Sequence, residues 1–171
     1  MNFENISTLI GVTINDLSHV IKQGWQNSRP FMTGCLIYTD NVFSICDGIV
    51  RDIGRDDKNK LYSVSIEYAY DCWIRYCMLQ NCNVSVGDEI SKGDKIGSTY
   101  KGILRFEYCT DEFSTFPFRS GDVQLYKHDP LPILMGETEL PEIDDAGDII
   151  ITDEILPEDM VEEIEKDVED E

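Results

Sequence analysis

The sequence from Val84 to Gly97 reads VSVGDEISKGDKIG. Apolar and polar residues alternate in two brief pieces, with turn-forming pairs at Gly87-Asp88 and Lys92-Gly93. Because glycine adopts a positive φ without steric cost, such pairs allow the chain to reverse sharply. The pattern predicts a corner in a small β-barrel or β-sandwich.

Short runs of β-branched and aromatic residues flank this corner on both sides. Turn residues separate several of them, for example at Asp40-Asn41 and at residues 56–59. The runs cover residues 36–38, 42–45, 48–53, 62–68, 73–76 and 103–108. Their length and spacing are typical of an antiparallel β-sandwich or barrel, so we predict a mainly β fold.

The chain divides into three segments of different composition. Residues 1–29 have apolar residues at helical spacing and are predicted to be an N-terminal helical arm, with two short helices around Gly11. Residues 30–136 form the predicted β domain. Residues 137–171 form an acidic C-terminal tail that holds 17 of the 34 acidic residues and one of the 14 basic residues. The rest of the chain is therefore close to neutral.

Composition also excludes several classes of function. Without a basic stripe to neutralise phosphates, the chain is expected to bind neither nucleic acid nor a membrane surface. No run of 18 apolar residues predicts a membrane span, and the N-terminus does not resemble a secretory signal. The six cysteines include no C-x-x-C pair, so we expect free buried thiols, no metal and no other cofactor.

The corner and its surroundings resemble the lysostaphin-like (LytM-type) zinc endopeptidases. That family's elements D-G-x-V, Y-A-H-L, H-L-H-F-E and N-P-L correspond, in the same order, to residues 47–50, 76–79, 103–107 and 129–134. The corner alone is also similar to biotinyl and lipoyl carrier domains, but the chain lacks the hairpin that presents their modified lysine. The resemblance implies a small β domain of the lysostaphin type.

Departures from the family pattern fall on the residues that carry its chemistry. The family binds zinc through H-x-G-x-D and the second histidine of H-L-H, while the first histidine of H-L-H and that of Y-A-H-L assist the attacking water. The corresponding residues here are Met32, Leu36, Met78, Ile103 and Arg105. They do not supply three zinc ligands, so we expect no catalytic residue. Arg105 is expected to pair instead with Glu107 or Asp71.

An inactive domain of this family implies two uses. Some degenerate relatives are exported and activate cell-wall amidases, while others are parts of bacteriophage tails and baseplates. Since no export signal is apparent, we predict a non-catalytic structural or assembly protein of a bacteriophage virion, made in the host cytoplasm and bound to other virion subunits in a large assembly. The alternatives are a regulator or binding module for a cell-wall hydrolase, and an active peptidoglycan hydrolase using His19 or His128. Contact with peptidoglycan is compatible with each of them.

Two regions are predicted to bind partners. In an expected exposed loop, the aromatic residues are Phe113, Phe116 and Phe118. In the tail, the apolar residues are Ile149, Ile150 and Ile151, which suit an added strand, and Val161, Ile164 and Val168, which share one face of a helix. A solvated, disordered tail is the alternative.

Overall fold

The computed structural model describes residues 2–25, 33–137 and 140. These residues form two short helices and eleven strands in one open sheet, so the predicted mainly β fold is confirmed. The helices are α1 (Glu4–Ile10) and α2 (Leu131–Leu134). The strands are β1 (Ile21–Gln23), β2 (Cys35–Tyr38), β3 (Asn41–Phe43), β4 (Gly48–Arg55), β5 (Tyr62–Ala69), β6 (Cys72–Cys82), β7 (Glu89–Ile90), β8 (Lys95–Thr99), β9 (Ile103–Thr110), β10 (Pro117–Ser120) and β11 (Val123–His128).

The sheet is antiparallel and branches at its two central strands. Its main path runs β1-β2-β9-β6-β5-β4-β7. Strand β9 pairs with β2 through residues 103–106 and with β11 through residues 108–110. Strand β6 pairs with β9 through residues 72–77 and then with β8 through residues 79–82. The two central strands therefore connect every part of the sheet.

Two turns with the pattern Ser-X-Gly-Asp form the predicted corner, at residues 85–88 and 91–94. In each turn the serine N–H donates to the aspartate carboxylate, at 2.8 and 2.9 Å, and the aspartate N–H donates to the serine carbonyl, at 3.1 and 3.0 Å. The glycines have φ of +94° and +91°, as the third residue of a type II turn requires. These turns precede β7 and β8, so the sharp reversals predicted here are confirmed.

The hydrophobic core covers one face of the sheet. Helix α1 packs against it through Ile6 and Leu9, and α2 through Ile133 and Leu134. Complete burial of such a side chain stabilises the fold by roughly 1.5–3 kcal/mol. Because α1 has seven residues, these contacts rather than its own hydrogen bonds hold it in place. Neither described helix is long and apolar enough to cross a membrane.

The N-terminal arm differs from the prediction after its first helix. Helix α1 ends at Gly11, whose φ of +73° gives a left-handed cap. The second predicted helix is wrong, since residues 12–20 contain no helix and residues 21–23 pair with β2 as strand β1. Ile14 and Leu17 pack on the core from this irregular segment. Their helix-like spacing therefore reflects separate core contacts.

The opposite face of the sheet carries a smaller apolar cluster and many polar groups. Trp73 of β6, Cys109 of β9 and Leu125 of β11 form the cluster, and Phe118 and Val123 pack against it. The β10–β11 hairpin therefore folds over one end of this face. The polar groups at the other end form the candidate site.

Candidate functional site

Two rows of residues, most of them polar, cross the neighbouring strands on this face. The first row, from β4 to β9, consists of Asp52, Ser65, Arg75 and Glu107. The second row, from β4 to β2, consists of Gly54, Ser63, Cys77, Arg105 and Leu36. Because residues two apart on a strand share a face, these rows form one surface. We call it the charged face.

Glu107 lies at the centre of the charged face, and its side chain is 0% exposed. Arg75 Nη1 donates to its Oε1 atom. Lys127 Nζ lies 3.0 Å from Oε2, and Arg105 Nε lies 3.4 Å from the same oxygen. The Thr33 hydroxyl also donates to Oε2 at 3.3 Å. One buried carboxylate is thus shared by three cations.

The cations keep Glu107 ionised. Burial alone would raise the pKa of this carboxyl because removal from water disfavours the charged form. Attraction to Arg75, Arg105 and Lys127 outweighs that effect and holds the pKa of Glu107 below its usual value. The four groups together carry a formal charge of +2 at neutral pH. Asp52, in the same row, reduces the surplus to +1 when it is included.

The three cations differ in their exposed fraction and in the contacts that they make. Arg75 is 11% exposed; its Nε donates to Ser65 at 3.2 Å, and its guanidinium lies 4.0 Å from the centre of the Phe118 ring. Lys127 is 16% exposed and also contacts the Thr33 hydroxyl, at 3.1 Å. The Arg105 side chain is 34% exposed, and its buried Nε has no hydrogen-bond partner among the described residues. Arg105 is therefore the most accessible of the three.

The structure brings together several positions that the sequence motif singled out. Leu36 lies directly opposite Arg105 in the β2–β9 pairing, and Ile103 lies on the same face two residues earlier. The expected ion pair between Arg105 and Glu107 is present. Asp71, the other partner considered for Arg105, lies in the turn between β5 and β6. Met78, another of the motif positions, is placed differently.

Met78 occupies a bulge in β6. Its neighbour Cys77 is opposite Arg105 of β9, whereas Leu79 is opposite Thr99 of β8. Met78 itself has φ of +70°, is half-buried, and accepts a hydrogen bond through its carbonyl from the Tyr100 N–H at 3.0 Å. Its backbone thus marks the point at which β6 changes partners. Met32 lies outside the described residues.

The residues at these positions do not fit the zinc ion that the resemblance implies. Leu36 and Ile103 have hydrocarbon side chains, Met78 has a thioether, and Arg105 is a cation. A divalent cation would also add positive charge to a surface that already has a surplus. Across residues 2–25 and 33–137, no three His, Cys, Asp or Glu side chains are grouped so that they could hold a metal ion.

Both histidines lie away from the charged face. His19 is exposed on the irregular segment before β1. His128 follows Lys127 on β11, and since consecutive strand residues point to opposite faces, it points away from Glu107. Its Nε2 lies 2.9 Å from the Thr110 hydroxyl and 3.0 Å from the Glu112 carbonyl oxygen. These contacts give His128 a structural position at the end of the β9–β11 pairing.

The six cysteines are free. Burial raises the pKa of Cys35, Cys46 and Cys109 to about 12. Burial also raises the pKa of Cys77, whose sulfur lies 3.6 Å from a Glu107 oxygen. Because the thiolate is the reactive form, these four thiols are poor nucleophiles at neutral pH.

The segment from Phe113 to Phe118 is only partly the exposed loop that we predicted. Phe113 is 76% exposed, and its ring centre lies 5.2 Å from that of Tyr126. Phe116 instead packs edge-on against Trp25, with 5.2 Å between ring centres. Phe118 is half-buried in β10 because the hairpin folds it over the guanidinium described above. The predicted partner-binding residues of the tail, Ile149, Ile150, Ile151, Val161, Ile164 and Val168, lie outside the described residues.

Two of the three cations around Glu107 were not recognised from sequence. Arg75 had a usable signal, since it is a charged residue between apolar neighbours in a predicted strand. The alternation of β9 likewise places Glu107 on the face of Arg105. Lys127 had no such signal because its contact with Glu107 depends on how the β10–β11 hairpin folds back.

Comparison with known proteins agrees with this fold. Residues 34–106 match the family model described as Peptidase family M23. The matched segment runs from just before β2 into β9 and includes the corner, Leu36, Met78 and Arg105. No curated protein sequence matches that of this chain.

Solved structures show the same similarity. The antimicrobial peptidase lysostaphin from Staphylococcus simulans has a TM-score of 0.55 at 18% identity, covering 77% of this chain and 60% of that chain. The NMR solution structure of lysostaphin has a TM-score of 0.54 at 16% identity, covering 75% and 60%. LytU has a TM-score of 0.50 at 19% identity, covering 71% and 89%.

These similarities establish the lysostaphin-like M23 fold that the sequence predicted. At such identities they show the fold alone, because one fold supports many activities. The chain also spans only 60% of the length of the lysostaphin structures.

Proposed function

We propose that this chain is a non-catalytic structural or assembly protein, built on a lysostaphin-like M23 fold without zinc chemistry. The observation that carries the proposal is the charged face, where Glu107 is buried among three cations. Arg105 stands where the motif has a zinc-binding histidine. Metal-assisted hydrolysis needs three protein ligands and an open coordination position. A surface with surplus positive charge attracts anions and disfavours a divalent cation.

The proposed assembly is a bacteriophage tail or baseplate, formed in the host cytoplasm. This step rests on the resemblance, since inactive domains of this family serve there as structural parts. Phe113, exposed beside Tyr126, offers an apolar contact of the kind that aromatic residues make at protein interfaces. The acidic tail offers a second contact through its interspersed isoleucine and valine residues.

A pull-down from the native source, followed by mass spectrometry, tests this assignment. The full chain is compared with a truncated chain ending at Gly136 and with Phe113→Ser. Val86→Ser is the matched control because Val86 is 62% exposed and lies in the corner, away from the aromatic segment. Recovery of large tail or baseplate proteins that is lost in the truncated chain or in Phe113→Ser supports the proposal. A one-to-one complex with a single cell-wall hydrolase contradicts it and favours a regulator.

A peptidoglycan hydrolase is the second candidate. The observation that favours it is the match of residues 34–106 to Peptidase family M23. Zinc content and the release of soluble fragments from purified cell walls, measured on the full chain, separate the two functions. Retained zinc together with fragment release establishes the hydrolase. Neither property is expected from the charged face.

A further inference from the structure

We infer that the charged face is a binding site for a carboxylate, in which Arg105 receives the acidic group of a peptide. The inference deepens the proposed function by naming the chemistry of a partner, and it rests on that function in one respect: these positions must not hold zinc. It depends on three observations, namely the charge balance, the accessibility of Arg105 and the small or apolar residues beside it in its row.

The charged groups of this face have a surplus of one positive charge, which one further negative charge would neutralise. Glu107 neutralises one of three cations, and Asp52 lessens the remaining surplus to +1. Interactions between charges are stronger away from bulk water, and Arg75 and Lys127 are almost fully enclosed. A monoanion such as a carboxylate would bring these five groups to neutrality. A phosphate, with a charge of about −1.5 to −2, would leave these groups with a net negative charge.

Arg105 is the cation of this face that an anion from solvent can contact. Its Nε faces Glu107, whereas about a third of the side chain remains in contact with solvent. Within residues 2–25 and 33–137 its buried Nε has no hydrogen-bond partner, and its contact with Glu107 is an ion pair only. A guanidinium presents five N–H donors in a planar fork, which matches the two oxygens of a carboxylate. The unused donors of Arg105 therefore suit a bidentate contact.

The neighbours of Arg105 in its row are small or apolar. On β4, β5 and β6 its members are the small residues Gly54, Ser63 and Cys77. On β2 the row ends at the half-buried Leu36, opposite Arg105. Cys77 is only 2% exposed, so a ligand reaches Arg105 at the exposed part of its side chain and not along the row. The apolar Leu36 limits the access of water to one side of the guanidinium, which favours a charge-assisted hydrogen bond.

The overall charge of the chain restricts the ligand to a single small anionic group. With a net charge of −20, the chain repels polyanions such as nucleic acids. A local surplus of +1 or +2 is too small to overcome that repulsion along an extended polyanion. One glutamate or aspartate side chain, or one terminal carboxylate, in an otherwise neutral segment satisfies both conditions.

The test is an NMR titration of the full chain that follows the side-chain Nε–Hε signal of each arginine. The probes are the peptide acetyl-Gly-Glu-Gly-amide, its neutral counterpart acetyl-Gly-Gln-Gly-amide, and inorganic phosphate, all at constant ionic strength. The variants are Arg105→Gln, Arg105→Lys and, as a matched control, Arg119→Gln. Arg119 is an exposed arginine on β10 whose loss leaves the charged face unchanged. Thermal melts show that each variant is folded.

We expect the glutamyl peptide to shift the Arg105 signal saturably and the glutaminyl peptide to leave it unchanged. Arg105→Gln should weaken binding about tenfold or more, as the loss of a charge-assisted hydrogen bond predicts. Arg105→Lys should retain part of the affinity because it keeps the charge without the fork, and Arg119→Gln should bind like the parent chain.

Three results would overturn the inference. They are equal shifts from the two peptides, unchanged affinity in Arg105→Gln, and saturation by phosphate without saturation by the glutamyl peptide. Failure here would leave the proposed function standing, because that function is tested by zinc content, wall hydrolysis and assembly partners. Retained zinc would instead contradict both proposals, because each requires that these positions hold no zinc.

Discussion

Replacement of Glu107 by glutamine is expected to destabilise the fold strongly. Glutamine keeps the shape of the side chain but removes the charge that Arg75, Lys127 and Arg105 share. Removing one partner of a buried ion pair costs about 3–5 kcal/mol. Because Arg105 is a third exposed, solvent screens part of the new repulsion. We therefore expect the lower end of that range, about 3 kcal/mol at pH 7.

The difference in the free energy of unfolding between the parent chain and Glu107→Gln should depend on pH. Since the pKa of Glu107 is lowered in the folded state, its ionisation stabilises the fold above the unfolded-state pKa of about 4.3. That stabilisation is lost as the pH falls through the folded-state pKa. The difference between the parent chain and Glu107→Gln should thus be full at neutral pH and shrink below about pH 4.

Urea unfolding followed by circular dichroism at pH 7, 5, 4 and 3 measures this difference. Glu89→Gln is the matched control, because Glu89 is an exposed residue of the short strand β7 and its loss should change the free energy of unfolding by less than about 0.5 kcal/mol. A loss of less than about 1 kcal/mol for Glu107→Gln at pH 7 would refute the proposed coupling, given the expected cost of breaking a buried pair. A loss of stability in Glu107→Gln that grows as the pH falls would also refute the coupling.

Three further predictions concern other parts of the molecule. Arg105→Ala should lower the free energy of unfolding by about 1 kcal/mol, and the melting temperature by roughly 2–4 °C, without affecting any hydrolysis; an unchanged melt would contradict the placement of Arg105. Gly97→Ala should destabilise the fold by roughly 1–3 kcal/mol because its Cβ would meet the Asn81 carbonyl oxygen, whereas Gly54→Ala, with only ordinary contacts, should be nearly neutral; equal urea midpoints would contradict this. Alkylation of Cys109 by iodoacetamide at pH 8 should be slow in the folded chain and fast in urea, since its pKa is about 12; rapid modification of the folded chain, detected by mass spectrometry, would show that the thiol is accessible.

The corner was predictable from sequence because its geometry is local. Glycine at the third position and aspartate at the fourth fix both turns of residues 85–94 within four residues each. The strands around it were predictable for a similar reason, since β-branched and aromatic residues favour extended backbone wherever they are placed. The first helix and its end at Gly11 also follow from local signals.

Features that depend on distant contacts were not predictable in the same way. Ile14 and Leu17 have helical spacing, but each contacts the core from an irregular segment. The motif positions identified Arg105 and its partner Glu107, whereas Lys127 reaches that carboxylate only through the β10–β11 hairpin. The sequence alone therefore predicts a missing zinc ligand at residue 105. The three-cation arrangement that surrounds Glu107 requires the fold.

The central claim is that the charged face does not perform zinc chemistry. The most direct test equilibrates the purified full chain with an equimolar amount of zinc, removes unbound metal by gel filtration, and measures the zinc content and the release of fragments from cell walls on the same sample. The account predicts zinc well below one ion per chain and no fragment release. One tightly bound zinc ion per chain together with released fragments would contradict it.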